Sequence, residues 1–139
     1  MAAPTLYLVG DSTMADWADS AGQEGWGAPA IVQRYFDITV VDRAVSGRSL
    51  RSYRREGKWA AVLNLLKPGD FVVVEFGHND GGSPSTSDRA SVVGEGTNTE
   101  TVTLADGTVE VVQTWTTYMK WYIDEAKAKG ATIIVSSQT

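Results

Sequence analysis

Four short apolar runs, each stopping at a small or polar turn, limit what this chain can fold into. Thr5-Leu6-Tyr7-Leu8-Val9 ends at Gly10-Asp11-Ser12, and Ile38-Thr39-Val40-Val41 leads into Ala44-Val45-Ser46-Gly47. Phe71-Val72-Val73-Val74-Glu75-Phe76 ends at Gly77, and Thr132-Ile133-Ile134-Val135 ends at Ser136-Ser137. All four are rich in β-branched residues and apolar at consecutive rather than alternate positions. That pattern marks strands covered on both faces, as in a parallel sheet.

Helical patterns separate the runs. Pro29 suits a first helical turn ahead of Ile31, Val32, Tyr35 and Phe36. Trp59, Val62, Leu63 and Leu66 fall at i, i+3, i+4 and i+7, a one-sided stripe that Lys67-Pro68-Gly69-Asp70 then terminates. Trp115, Met119, Tyr122, Ile123 and Ala126 form another, with Lys127 and Lys129 in its last turn and Gly130 as the cap. One-sided stripes of this kind are expected to pack on the sheet. Residues 81–100 break the alternation with a Gly-, Ser-, Thr- and Pro-rich loop. A hairpin is expected next, with Thr101–Leu104 and Thr108–Val111 turning near Asp106-Gly107. The order implies a three-layer α/β sandwich around a parallel sheet, a single domain over residues 1–139. In such sheets ligands bind beyond the C-terminal strand ends.

Composition removes several functions. A net charge of −5 disfavours nucleic acid and anionic membrane partners, and no apolar run approaches the ~18 residues of a membrane span. No cysteine and a single histidine disfavour a metal site, and no cofactor is expected. No basic segment followed by an apolar stretch marks a signal peptide at the N-terminus.

The polar residues after the strands carry the candidate chemistry. Acyl transfer needs a nucleophile in the crevice and donors aimed at the developing oxyanion. Ser12, just past the first strand and near a helix start, is placed to attack. Its own N–H and that of Gly47 could donate to the oxyanion, Gly47 because a missing Cβ permits close backbone approach. Asn79 could add a side-chain amide. Asp11 and Asp80 are expected to order their turns by accepting backbone N–H groups rather than to form a catalytic pair. Trp17 and Trp26 either stack on sugar rings or pack over the first helix.

Gly10-Asp11-Ser12, Gly47 and Gly77-His78-Asn79-Asp80 resemble the first three motif blocks of SGNH (GDSL) hydrolases, in the same order and on the same elements. Gly10-Asp11-Ser12-Thr13-Met14-Ala15, Gly25-Trp26-Gly27, Gly47-Arg48-Ser49, Arg51-Ser52-Tyr53, Arg55-Glu56-Gly57, Glu75 through Gly82, and Ser136-Ser137-Gln138-Thr139 closely resemble rhamnogalacturonan acetylesterases. The resemblance implies a flavodoxin-like SGNH fold and removal of acetyl groups from pectic polysaccharide by a secreted enzyme. It makes Ser12 the nucleophile, and Ser12 N–H, Gly47 N–H and the Asn79 side chain the oxyanion hole.

The family's catalytic Asp and His stand together in an Asp-x-x-His motif, which this sequence lacks: its one histidine is His78, and position 75 is Glu75. The chain is therefore expected to be the N-terminal part of the domain, without the last strand and C-terminal helix. A C-terminal polypeptide segment completing the domain, or self-association along the fourth strand, is the expected partner. If strand alternation continues past Gly77, an inward Asn79 turns His78 away from Ser12, leaving His78 for substrate contact or structural hydrogen bonds. Arg48, Arg51, Arg54 and Arg55 form either a solvated helix face or a set of contacts to galacturonate carboxylates, Arg48 foremost because it adjoins Gly47. Two alternatives stay open: another SGNH esterase, lipase or thioesterase, and a catalytically inactive carbohydrate-binding fragment.

Overall fold

The computed structural model describes residues 2–17 and 23–137. Its centre is a four-stranded sheet, β1 (Thr5–Gly10), β2 (Thr39–Asp42), β3 (Phe71–Glu75) and β6 (Thr132–Val135), all parallel, in the order β2-β1-β3-β6. The four apolar runs are these strands, and the parallel α/β architecture expected from them is the observed one.

Period-2 alternation sorts the strand residues between two cores. Tyr7 and Val9 of β1, with Val72 and Val74 of β3, face a large cluster built on α2 (Leu50–Arg55), α3 (Lys58–Leu65) and α4 (Trp115–Ala128). Trp59 stacks on Tyr122 with ring centroids 4.4 Å apart, and Phe76 packs between Tyr53 and Tyr122. The stripe residues Trp59, Val62, Leu66, Met119, Tyr122 and Ala126 are all buried there. Tyr122 and Tyr53 direct their hydroxyls to the Leu50 and Arg43 carbonyls, both at 2.7 Å, so these large rings are buried without orphaning a donor.

The opposite face carries Leu6, Leu8, Met14, Val32 and Val40. Its helical cover is thin: α1 is only Pro29–Val32, followed by a 3₁₀ turn at Gln33–Tyr35. The longer amphipathic helix expected through Phe36 is not formed, and Tyr35 and Phe36 are 71% and 43% exposed. Gln33 accounts for the early stop. Its side chain donates to the Phe36 and Ile38 carbonyls and accepts from Val40 N–H, turning the chain directly into β2.

The loop after β3 leads to an antiparallel hairpin, β4 (Glu100–Thr103) and β5 (Val109–Val112), whose Val102 and Val112 join the large core. The hairpin turns near Asp106-Gly107 as expected: Leu104 N–H bonds the Thr108 carbonyl at 2.8 Å, and the ladder runs one residue further out at each end, from Glu100 to Val112.

Candidate active site

Three strand ends build the site. β1 lies between β2 and β3 with Gly10 level with Glu75, and Val45 N–H donates to the Gly10 carbonyl at 2.9 Å. The segments after β1, β2 and β3 therefore leave the same edge of the sheet side by side. Gly10 permits this closeness: a Cβ there would sit 2.7 Å from the Glu75 carbonyl oxygen.

Ser12 lies in the turn after Gly10. Met14 and Ala15 N–H groups donate to the Asp11 carbonyl, and the fully buried Asp11 carboxylate accepts Thr13 N–H at 2.9 Å. The Asp11 contact is the turn-ordering one expected of it. The Ser12 carbonyl accepts the Trp17 indole N–H at 2.9 Å, and the Trp26 indole donates to Glu75 Oε2 at 3.1 Å. The Trp17 indole thus pins the serine turn, and the Trp26 indole ties its own segment to the end of β3. Ser12 itself is half-buried.

Gly47 occupies a turn closed by Arg48 N–H on the Val45 carbonyl, with φ of +77°. The reason for glycine differs from the one anticipated. A Cβ would meet only the Arg89 Nη1 at 3.6 Å, an ordinary contact, so the left-handed backbone rather than crowding selects glycine. Among the described residues, no protein acceptor engages the N–H of Ser12 or of Gly47.

Residues 78–80 form a turn closed by Asp80 N–H on the Gly77 carbonyl, so strand alternation, the condition for an inward Asn79 and an outward His78, does not continue past Gly77. The turn leaves His78 exposed and Asn79 half-buried. Asn79 Nδ2 donates to the Arg48 carbonyl at 3.0 Å, and its Oδ1 accepts from Arg89 Nη1 at 3.0 Å. An Nδ2 group has two hydrogens, so the Arg48 contact occupies one and leaves one. Asp80 acts beyond its own turn: its Oδ1 accepts Leu50 N–H at 3.1 Å, bracing the start of α2 against the third strand end.

Burial perturbs three carboxylates near the strand ends. Burial raises Asp80 to about 7, against the opposing Leu50 hydrogen bond and aided by the negative Asp11. Burial also raises Glu75, opposed by the Trp26 N–H. Asp42, at the end of β2, is raised to about 6 by burial.

The four clustered arginines are not a solvated face. Arg51 is buried, forked onto Glu110 of β5, with its Nη1 donating to the Pro84, Ser87 and Ala90 carbonyls. Arg54 pairs with Glu125, and Arg55 with Asp88 and Glu110. Arg48 forks onto Glu56 at 2.8 and 3.1 Å, while still lining a cleft of about 360 Å³ with Gly47, Ser52, Arg55, Asp88 and Arg89. Arg89 was not singled out in the sequence. Its only local signal is its place in a long loop, and its contacts to Gly47 and Asn79 span 42 and 10 residues. Among the described residues no cluster of histidine and acidic side chains could hold a metal ion.

A model of the GDSL-like lipase/acylhydrolase family matches residues 8–139. A rhamnogalacturonan acetylesterase of Emericella nidulans is 41% identical over 138 residues, covering 99% of this chain and 53% of its own. The probable rhamnogalacturonan acetylesterase YesY of Bacillus subtilis is 35% identical over 126 residues, 91% of this chain and 49% of its own. The chain thus spans about half the length of these curated relatives. The X-ray structure of the Bacillus subtilis protein YxiM superposes with a TM-score of 0.71 at 26% identity, over 99% of this chain and 33% of that one. With the motif residues at the strand ends and the match running through nearly every residue, the chain belongs to the GDSL-like lipase/acylhydrolase family.

Proposed function

We propose that this chain carries the nucleophile and oxyanion hole of a serine esterase that removes O-acetyl groups from pectic polysaccharide. What supports the proposal is that the segments carrying Ser12, Gly47 and Asn79 leave the same edge of the sheet, with the Asn79 amide only half used. Two relatives named as rhamnogalacturonan acetylesterases supply the substrate class.

In this reading Ser12 Oγ attacks the acetyl carbonyl carbon, and the carbonyl π electrons move onto oxygen. The two N–H groups and Asn79 Nδ2 hold that oxyanion. Its collapse breaks the bond to the sugar oxygen, which leaves as a hydroxyl after taking a proton. Water then attacks the acetyl-serine, releases acetate and returns the proton to Ser12. The proton carrier is the Asp-x-x-His pair that the family resemblance calls for, not His78, which is exposed on the turn after β3. Arg48, which lines the cleft beside Gly47, and His78 are the proposed contacts to the sugar chain.

Acetate release from acetylated rhamnogalacturonan tests the proposal, in the native full-length chain. Ser12→Ala abolishes release while leaving the unfolding transition unchanged, and Asn79→Ala lowers turnover about 10²–10³-fold. Near-wild-type release by Ser12→Ala would remove the serine from the reaction.

A further inference from the structure

Asn79 can serve an oxyanion only if its nitrogen, not its oxygen, faces the acyl group. The two ends of a carboxamide have nearly the same shape, so something must distinguish them. On the nitrogen side the Arg48 carbonyl does so at 3.0 Å. On the oxygen side Arg89 does so: Nη1 donates to Asn79 Oδ1 at 3.0 Å and to the Gly47 carbonyl at 3.1 Å. A flipped amide would set oxygen against the Arg48 carbonyl and nitrogen against a guanidinium. Both contacts would be repulsive.

Arg89 also differs from its neighbours in charge. Arg48, Arg51, Arg54 and Arg55 are each neutralised by a carboxylate. Among the described residues Arg89 has neutral acceptors only, the Gly47 carbonyl and the Asn79 amide. An uncompensated positive charge at the oxygen end of an amide draws electron density from its nitrogen and strengthens the N–H as a donor.

The loop that carries Arg89 is held by design of the fold rather than by its own secondary structure. Arg51 Nη1 collects the Pro84, Ser87 and Ala90 carbonyls, and its other nitrogens fork onto Glu110 of the hairpin. A continuous line of contacts therefore runs from β5 through Arg51 and the loop backbone to Arg89, and from there to Gly47 and Asn79.

We propose that Arg89 is a positioning residue of the oxyanion hole, locking the Asn79 amide with its N–H toward the acyl oxygen and polarising it. The role rests on the esterase reading, and the test separates the two. In the 139-residue chain, the Asn79 side-chain NH₂ resonances of the wild-type protein are compared with those of Arg89→Ala and Arg89→Lys. Arg89→Ala shifts these resonances and speeds their exchange with solvent, and Arg89→Lys partly restores them. In the native full-length chain, Arg89→Ala lowers kcat for a small neutral acetyl ester about tenfold and leaves KM within about twofold. In an Asn79→Ala background the same substitution has no further effect on kcat, because the amide it positions is gone. Unchanged Asn79 resonances in Arg89→Ala, or an equal kcat loss in the Asn79→Ala background, would overturn the role. Full turnover by Ser12→Ala would instead sink the esterase reading while leaving the amide lock measurable.

Discussion

Asp80 shows how one side chain can couple the site to the stability of the whole chain. It is 7% exposed, one oxygen holds Leu50 N–H, and the other has no hydrogen-bond partner among the described residues. Burial raises its pKa to about 7, so between the ordinary carboxylate value of ~3.9 and 7 the native state keeps a proton that the unfolded chain releases. A state that binds more protons loses ground as protons become scarce. Stability therefore falls as pH rises from about 4 to about 7 and levels off above. Asp42 and Glu75, also raised by burial, act in the same direction. Asp80→Asn keeps an acceptor for Leu50 and carries no charge. Its melting temperature exceeds the wild-type value at pH 8 and drops less between pH 5 and pH 8. Equal slopes for the two proteins, followed by circular dichroism, would show that Asp80 is not the titrating group.

At the scale of elements, the strands were legible because burial on both faces writes an unbroken β-branched run into the sequence. The stripes of α3 and α4 were legible because one-sided burial writes a 3.6-residue period. α1 was overestimated for a related reason: Tyr35 and Phe36 continue the apolar period, but the Gln33 side-chain bonds divert the backbone. The strand-end residues Ser12, Gly47 and Asn79 could be picked out because each follows a recognisable strand. Arg51 and Arg89 could not be assigned, since their partners lie 10 to 59 residues away and only packing brings them together. Arg51 illustrates the energetic weight of such contacts. Replacing it by Met leaves the Glu110 carboxylate with Arg55 alone and takes the shared donor from three loop carbonyls. We expect a loss of roughly 3–5 kcal/mol in urea unfolding, whereas Arg48→Ala, at a half-exposed pair, costs about 0–1 kcal/mol. Similar losses for both substitutions would mean that burial of Arg51 carries no special weight.

Over the whole molecule the two faces and edges of the sheet are unequally protected. The helices α2, α3 and α4 cover one face, while among the described residues the other has only the short α1 and its 3₁₀ turn. β6 lies at an edge of the sheet, with Ile134 and Val135 49% and 42% exposed. Among the described residues no strand pairs with the outer edge of β6, and such an edge beside exposed aliphatic side chains is a template for pairing with another chain. Ile134→Lys places a charge there, and sedimentation velocity at rising concentration is expected to show less self-association for this variant than for wild type. Identical profiles would locate any association elsewhere.

The central position of β1 also sets an order in time. Ser12 follows a strand whose two neighbours begin at Thr39 and Phe71, and the amide proposed to assist it waits on Arg89. During synthesis, which proceeds at about 5–20 residues per second, the serine leaves the ribosome ahead of both neighbouring strands and the arginine loop and must wait several seconds for them. Each of those contacts closes a long loop, so none forms cheaply ahead of the others. In the proposed esterase reading, the growing chain therefore holds a chemically ordinary hydroxyl at least until the third strand and the arginine loop have docked.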